Sequence, residues 1–181
     1  ESASHAFAID QFSDYVSIGT QLPLHTKSYV DLLVKSELAS NAQRILFESF
    51  EMKELPVVAA IVLLPNSSRI AVASLHLPHT PEAAPMRKRL VNAIMDKLSS
   101  QHCDGIILAG DFNMRQAEDA FIGQVCGLDS WKDATNSDTK KKFTWNSREN
   151  MFHGHDRNQF IARFDRCYIR SNIIRLTHFD L

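Results

Sequence analysis

Cysteine is scarce in this chain. Cys103, Cys126 and Cys167 are odd in number and far apart among 181 residues. That excludes a disulfide framework and a Cys-x-x-Cys zinc site, and a reducing compartment is the simple inference. Positive charge is not in excess either: 20 Lys and Arg against 21 Asp and Glu leave a net charge of -1. No bulk field marks a general nucleic-acid binder, so any nucleic-acid contact must be local. No apolar run approaches the roughly 20 residues needed to cross a bilayer, so no membrane association is expected. A signal peptide is lacking too: the first residues are polar, with no basic n-region followed by an apolar h-region. Glycine and proline, six each, are too few for a collagen-like or low-complexity chain. No repeat is visible. The chain does not begin with Met, so its true start is expected upstream.

The remaining composition is that of a globular domain, 44% apolar and 23% charged. The length suffices for one domain with a hydrophobic core, residues 1–181, and not clearly for two. Residues 2–12 fit a short helix with Phe7 and Phe12 toward a core. Tyr15–Gly19, Tyr29–Lys35 and Arg44–Phe47 read as strands. Val57–Leu64 and Arg69–Leu77 are β-branched runs joined by Pro65-Asn66-Ser67-Ser68, which is hairpin chemistry. From Pro81 to Ser99 the period changes. Leu90, Ile94 and Leu98 fall four apart, with Val91 and Met95 beside them, while Arg87, Lys88, Asn92 and Lys97 are assigned to other faces of an amphipathic helix. Gly105–Ala109 is a short, continuously apolar strand, expected to be buried on both faces. A second helix is expected over Gln116–Ile122, strands over Phe143–Asn146, Arg163–Arg170 and Ile173–Thr177, and a polar loop between Asn146 and Arg163. Hairpins followed by strand–helix–strand fit two packed sheets with helices outside.

Three local signals carry chemistry. Ile106 to Asn113 is a strand ending abruptly in Gly110-Asp111-Phe112-Asn113. Gly lets the backbone turn or come close to a neighbour, and the carboxylate and amide then project from a rim that the strand holds still. Asp111 there suits orienting or deprotonating a water, and Asn113 suits donating to a phosphate oxygen. The bland alternative is a strand end closed by an Asx-turn. His76, in Ser74-Leu75-His76-Leu77, shares a strand face with Ser74 and suits charge stabilisation, although a lone His at a strand end is more often structural. Trp145, in Thr144-Trp145-Asn146, and Phe164, in Arg163-Phe164-Asp165-Arg166, would make an apolar wall on which a base or sugar stacks. The alternative is core aromatics beside a surface Asp–Arg pair. Lys140-Lys141-Lys142 fits a phosphate backbone or a solvated loop. His153-Gly154-His155-Asp156 has metal-binding spacing only superficially.

The order SLHL, helix, AGDFN, TWN, RFDR resembles the endonuclease/exonuclease/phosphatase superfamily, and within it most of all the tyrosyl-DNA phosphodiesterase 2 branch. The resemblance spans essentially the whole chain and is strongest from Val72 to Arg170. Asn146 departs from it, because that branch often has Asp there. The resemblance implies a four-layer α/β (α+β) sandwich, deoxyribonuclease I-like, of two mainly antiparallel sheets flanked by helices. It implies Mg²⁺ or Mn²⁺ held by Glu1, with Asp111 activating water beside the same ion. Asn113 would hold the phosphate, and His76 would donate to a phosphate oxygen. Trp145, Phe164 and Asn146 would line the substrate, and Asp165 would orient the family's last catalytic His. The substrate would be a phosphodiester at a DNA end, a 5′-tyrosyl adduct in particular, handled by a monomer in the nucleus or cytoplasm.

Two family elements are missing: a first strand with a catalytic Asn before Glu1, and a closing Ser-Asp-His motif after Leu181. A chain so truncated is expected to be inactive and poorly soluble alone. The rivals are another phosphodiesterase of the same fold, acting on RNA tails, AP sites or phospholipid heads, and a non-catalytic interaction module.

Overall fold

The computed structural model describes residues 12–19, 30–47, 57–121, 131–134, 143–147, 160–175 and 177. The hairpin around Pro65 organises the fold. β4 (Val57–Leu63) and β5 (Arg69–His76) pair antiparallel from Val57↔Leu75 to Leu63↔Arg69. In the turn, the Ser67 N–H donates to the Leu64 carbonyl at 2.9 Å, and Ser67 sits in the left-handed region at φ 66°. Asn66 Oδ1 takes the Ser68 N–H, a local side-chain bond that fixes the reversal.

β5 then leads through a 3₁₀ turn (Pro81–Ala83) into α2 (Ala84–Ser99), and the chain returns as β6 (Gly105–Asp111), parallel to β5. A parallel pair needs such a crossover. β6 pairs on its other side with β10 (Asp165–Ser171), antiparallel, and β10 pairs with β7 (Trp131–Asp133). With β3 (Gln43–Arg44) at the far edge, one six-stranded mixed sheet runs β3-β4-β5-β6-β10-β7. Two further antiparallel pairs stand apart from it. They are β1 (Tyr15–Ser17) with β2 (Leu33–Lys35), and β8 (Trp145–Asn146) with β9 (Ile161–Ala162). A four-residue helix α1 (Ser36–Ala39) follows β2.

Two apolar clusters hold these layers. On one sheet face Leu90, Val91, Ile94, Met95 and Leu98 of α2 pack on Ala71, Ala73, Leu75, Ile106, Leu108 and Tyr168. On the other face Val58, Ala60 and Val62 of β4 pack against Val30, Leu32 and Val34. The result is the expected mixed α/β architecture, with the second sheet represented, among the described residues, by β1 and β2. Ile94 is fully buried at the centre of the larger cluster. Ile94→Ala is expected to cost about 3 kcal/mol through lost transfer energy and the cavity left behind. Urea unfolding measures it, and a loss below about 1 kcal/mol would mean the helix face is not packed as described.

Several strands differ from expectation for identifiable reasons. Among the described residues 30–35 only Leu33–Lys35 is strand, because Asp31 accepts the Leu32 N–H and the Ser17 hydroxyl. Among the described residues of 173–177 no strand is present: the Ser171 hydroxyl oxygen accepts the N–H groups of Ile173 and Ile174 and stops β10. The second helix opens as a 3₁₀ turn at Gln116–Glu118 and continues helical over 119–121. β7 and β9 are too short to show a period, and part of the stretch read as a polar loop is β9. Ile107 and Ala109 of β6 are only partly buried, so that strand is not covered equally on both faces. Residues 2–11 lie outside the described residues. Among the described residues, no helix is long and apolar enough to cross a membrane.

Candidate active site

Strand register builds the site. β6 lies between β5 and β10, with His76 opposite Asp111 in the parallel pair and Asp165 opposite Asp111 in the antiparallel pair. Directly opposed residues share a face, so the three form one row across adjacent strand ends. Ser74, two residues before His76, lies opposite Val58 of the smaller core, which places the row on that face of the sheet.

Asp111 is the centre of the row. Its Oδ1 accepts the Asn113 N–H at 2.8 Å, and its Oδ2 lies 3.7 Å from His76 Nε2. Both side chains are partly open to solvent, 36% for His76 and 33% for Asp111. Burial pushes the Asp111 carboxyl above its ordinary range and the Asp165 charge adds to this; the Asn113 N–H, His76 and Arg115 oppose it without reversing it. A carboxylate with a raised pKa is a stronger base, which suits proton abstraction near neutral pH.

The strand ends are tied together beyond the ladder. The Leu77 N–H donates to the Asp111 carbonyl at 2.8 Å, and the Phe112 N–H donates to the Phe164 carbonyl at 2.9 Å. Asn113, 5% exposed and left-handed at φ 49°, donates its side-chain amide to the Leu77 carbonyl at 2.9 Å. The Asx-turn and the chemical reading therefore coexist: Asp111 closes the turn through one oxygen, and the Asn113 amide keeps a second N–H beyond the Leu77 bond. Gly110 makes the geometry possible. It has φ 135°, and a Cβ there would stand 2.1 Å from the Leu75 carbonyl oxygen.

Around the row stand Thr144, Arg115 and Phe160, to which the sequence assigned no role, and Trp145 and Asn146, to which it did. The Thr144 hydroxyl oxygen accepts the N–H groups of Phe164 and Asp165, each at 3.0 Å, and so fixes where β10 begins. Arg115 donates to the carbonyls of Asn113 and His79 and lies 5.0 Å over the Phe164 ring. Phe160 meets the same ring edge-on at 6.2 Å. Trp145 and Asn146, half-buried on β8, pair with Ala162 and Ile161 and connect to the row through Thr144. Arg166 turns to the opposite face from Asp165. It is 3% exposed and pairs with Asp119 at 2.6 Å, so no surface Asp165–Arg166 pair forms.

Arg87 is a correction. Expected on an outer face of α2, it is fully buried and grips Glu118 through Nε at 3.0 Å and Nη2 at 2.7 Å. An arginine at the head of the 90/91/94/95/98 stripe was the available signal. Burial alone would raise the Glu118 carboxyl, but the hydrogen bonds from Arg87 and the Arg115 N–H, with both charges, hold it below its ordinary value of 4.5. The unfolded chain therefore takes up this proton first as pH falls. The stability from this pair is fully present above pH 4.5 and is lost as pH drops through the folded value. Glu118→Gln is expected to flatten that acid limb in pH-dependent urea unfolding; an unchanged limb would mean the pair contributes nothing to it.

Glu1 lies outside the described residues, as do Lys140, Lys141, Lys142 and residues 153–156. Among the described residues no group of three or more His, Cys, Asp or Glu is placed to hold a metal ion. The donor chemistry nevertheless fits a hard cation. Asp111 presents a carboxylate on the partly open rim, and Mg²⁺ is commonly bound by one or two carboxylates with water completing its shell.

This architecture is the endonuclease/exonuclease/phosphatase fold, in the form seen in TDP2 structures. No family model and no curated protein matches the sequence. Among solved structures, TDP2 from Caenorhabditis elegans is similar at 24% identity and TM-score 0.69 over 90% of this chain and 49% of that one. D. rerio TDP2 complexed with a single-strand DNA product gives 17% identity and TM-score 0.72 over 93% and 67%. The endonuclease/exonuclease/phosphatase from Bacteroides vulgatus gives 13% and 0.67 over 93% and 69%. The chain thus spans about half the length of the C. elegans protein.

Proposed function

We propose that the protein hydrolyses a phosphodiester, with the row His76–Asp111–Asp165 as its reaction centre. The observation that carries this is the register, which aligns an imidazole and two carboxylates across three strand ends on one accessible rim. In this reading Asp111 takes the proton of the attacking water. His76 donates to a non-bridging phosphate oxygen and balances the charge that develops there. The free N–H of the Asn113 amide holds a second phosphate oxygen, its position fixed by the Leu77 bond. Asp165 adds negative charge beside Asp111 and keeps it basic. Glu1 would hold Mg²⁺ or Mn²⁺ beside Asp111, and the ion would supply Lewis-acid neutralisation of the phosphate and lower the pKa of bound water. Phe164, under the Arg115 guanidinium, and Trp145 with Asn146 on the neighbouring ribbon would line the leaving-group side.

The substrate we favour is a DNA end carrying a 5′-tyrosyl adduct, acted on in the nucleus or cytoplasm by a monomer. The similarity to TDP2 structures, one complexed with single-strand DNA, supports that choice, and the near-neutral charge fits contact with one end rather than a long duplex. The test uses the intact protein, since the chain alone is expected to be inactive, and compares Mg²⁺-dependent release from 5′-phosphotyrosyl DNA with cleavage of AP-site DNA, polyadenylate and sphingomyelin. Preferred turnover of the tyrosyl substrate is expected. Preference for another substrate would keep the chemistry and replace the substrate, while no hydrolysis of any would overturn the reading.

A further inference from the structure

Among the buried residues of α2, Arg87 alone is charged. Four hydrogen bonds leave its guanidinium: two to the Glu118 carboxylate, and two from Nη1 to the carbonyls of Pro78 and Thr80, both at 2.7 Å. Holding a helix on a sheet does not need this. An apolar side chain of similar size packs as well without the cost of burying an ion. What the pair adds is direction. Pro78 and Thr80 belong to the loop that follows His76, and Glu118 to the segment that follows Asp111. Glu118 Oε1 also accepts the Arg115 N–H at 2.9 Å. Arg115 in turn joins the carbonyls of His79 and Asn113, and Asn113 joins that of Leu77. Two links, Arg115 to His79 and Asn113 to Leu77, run directly between the loop after β5 and the loop after β6; Arg87 bridges the same two loops from α2, and the Arg115 bonds to Glu118 and Asn113 stay within the second loop.

We infer that Arg87 and Glu118 are positioning residues: a buried clamp that sets the His76 loop against the Asp111 loop without touching substrate. Its catalytic consequence rests on the hydrolysis proposed above; the clamp itself does not. The test is Arg87→Met with Glu118→Leu, which removes both charges together and leaves neither buried alone. In hydrogen–deuterium exchange without substrate, residues 77–80 and 112–118 are expected to exchange about tenfold faster or more, while β4 and the middle of α2 stay as in the wild type. On a substrate the wild type hydrolyses, kcat is expected to fall on the order of 100-fold with KM little changed, as displacement of reacting groups predicts. Ile94→Ala, which weakens the same helix from its apolar face, is expected to keep its kcat where it is folded. Should the double variant exchange fast everywhere, Arg87→Lys, which keeps the charge and loses the fork, is measured in the same way. Unchanged exchange in the two loops overturns the clamp whatever the substrate. Faster exchange with wild-type kcat overturns its role in positioning. If the wild type hydrolyses no phosphodiester, the functional reading falls and exchange alone decides the clamp.

Discussion

Asp111→Asn is expected to lower phosphodiester hydrolysis by about 10³- to 10⁴-fold, the upper range for loss of a positioned general base, while the fold is retained. The substitution suits the site. An asparagine side-chain oxygen still accepts the Asn113 N–H, so the turn after β6 keeps its closing bond. What disappears is the charge and the capacity to take a proton. It also removes the desolvation cost of a partly buried charge and its repulsion by Asp165, so the variant is expected to be at least as stable as the wild type near neutral pH. Activity assays paired with thermal unfolding check both halves. Wild-type turnover would remove Asp111 from the chemistry, and a large loss of stability would show that the carboxylate is structural instead.

Gly110→Ala is expected to destabilise the protein by about 4 kcal/mol, the sum of overpacking and backbone strain. The added Cβ would stand 2.1 Å from the carbonyl oxygen and 2.9 Å from the nitrogen of Leu75, which is backbone and cannot swing aside. β5 and β6 would have to separate where the Leu77 N–H meets the Asp111 carbonyl, so residual folded protein is expected to have a misaligned row as well. Urea unfolding measures the first effect. A cost below about 1 kcal/mol would show that β5 and β6 do not lie this close.

The parts of this molecule legible in its sequence are those with strong local chemistry. The hairpin at Pro65, the apolar stripe of α2 and the strand ending in Gly110-Asp111-Phe112-Asn113 each carry their own turn residues or period, and each is where expected. Motif order also pointed to the fold. Less legible were features set by distant partners. Arg87 looked like a surface arginine, because nothing local announces that Glu118, 31 residues on, will neutralise it. Thr144 holds Phe164 and Asp165 across 20 and 21 residues. The end of β10 depends on one serine hydroxyl that any sequence pattern would overlook. The row itself sits between these cases: its members were named singly, but only the register of β5, β6 and β10 sets them side by side.

The most direct measurement is a crystal structure of the protein soaked with Mn²⁺ and a short DNA carrying a 5′-phosphate. The phosphate is expected against His76 and the Asn113 amide, at hydrogen-bond distances of about 3 Å, with anomalous manganese density next to Asp111. A phosphate bound on the opposite face of the sheet, or metal density remote from Asp111, would contradict the account.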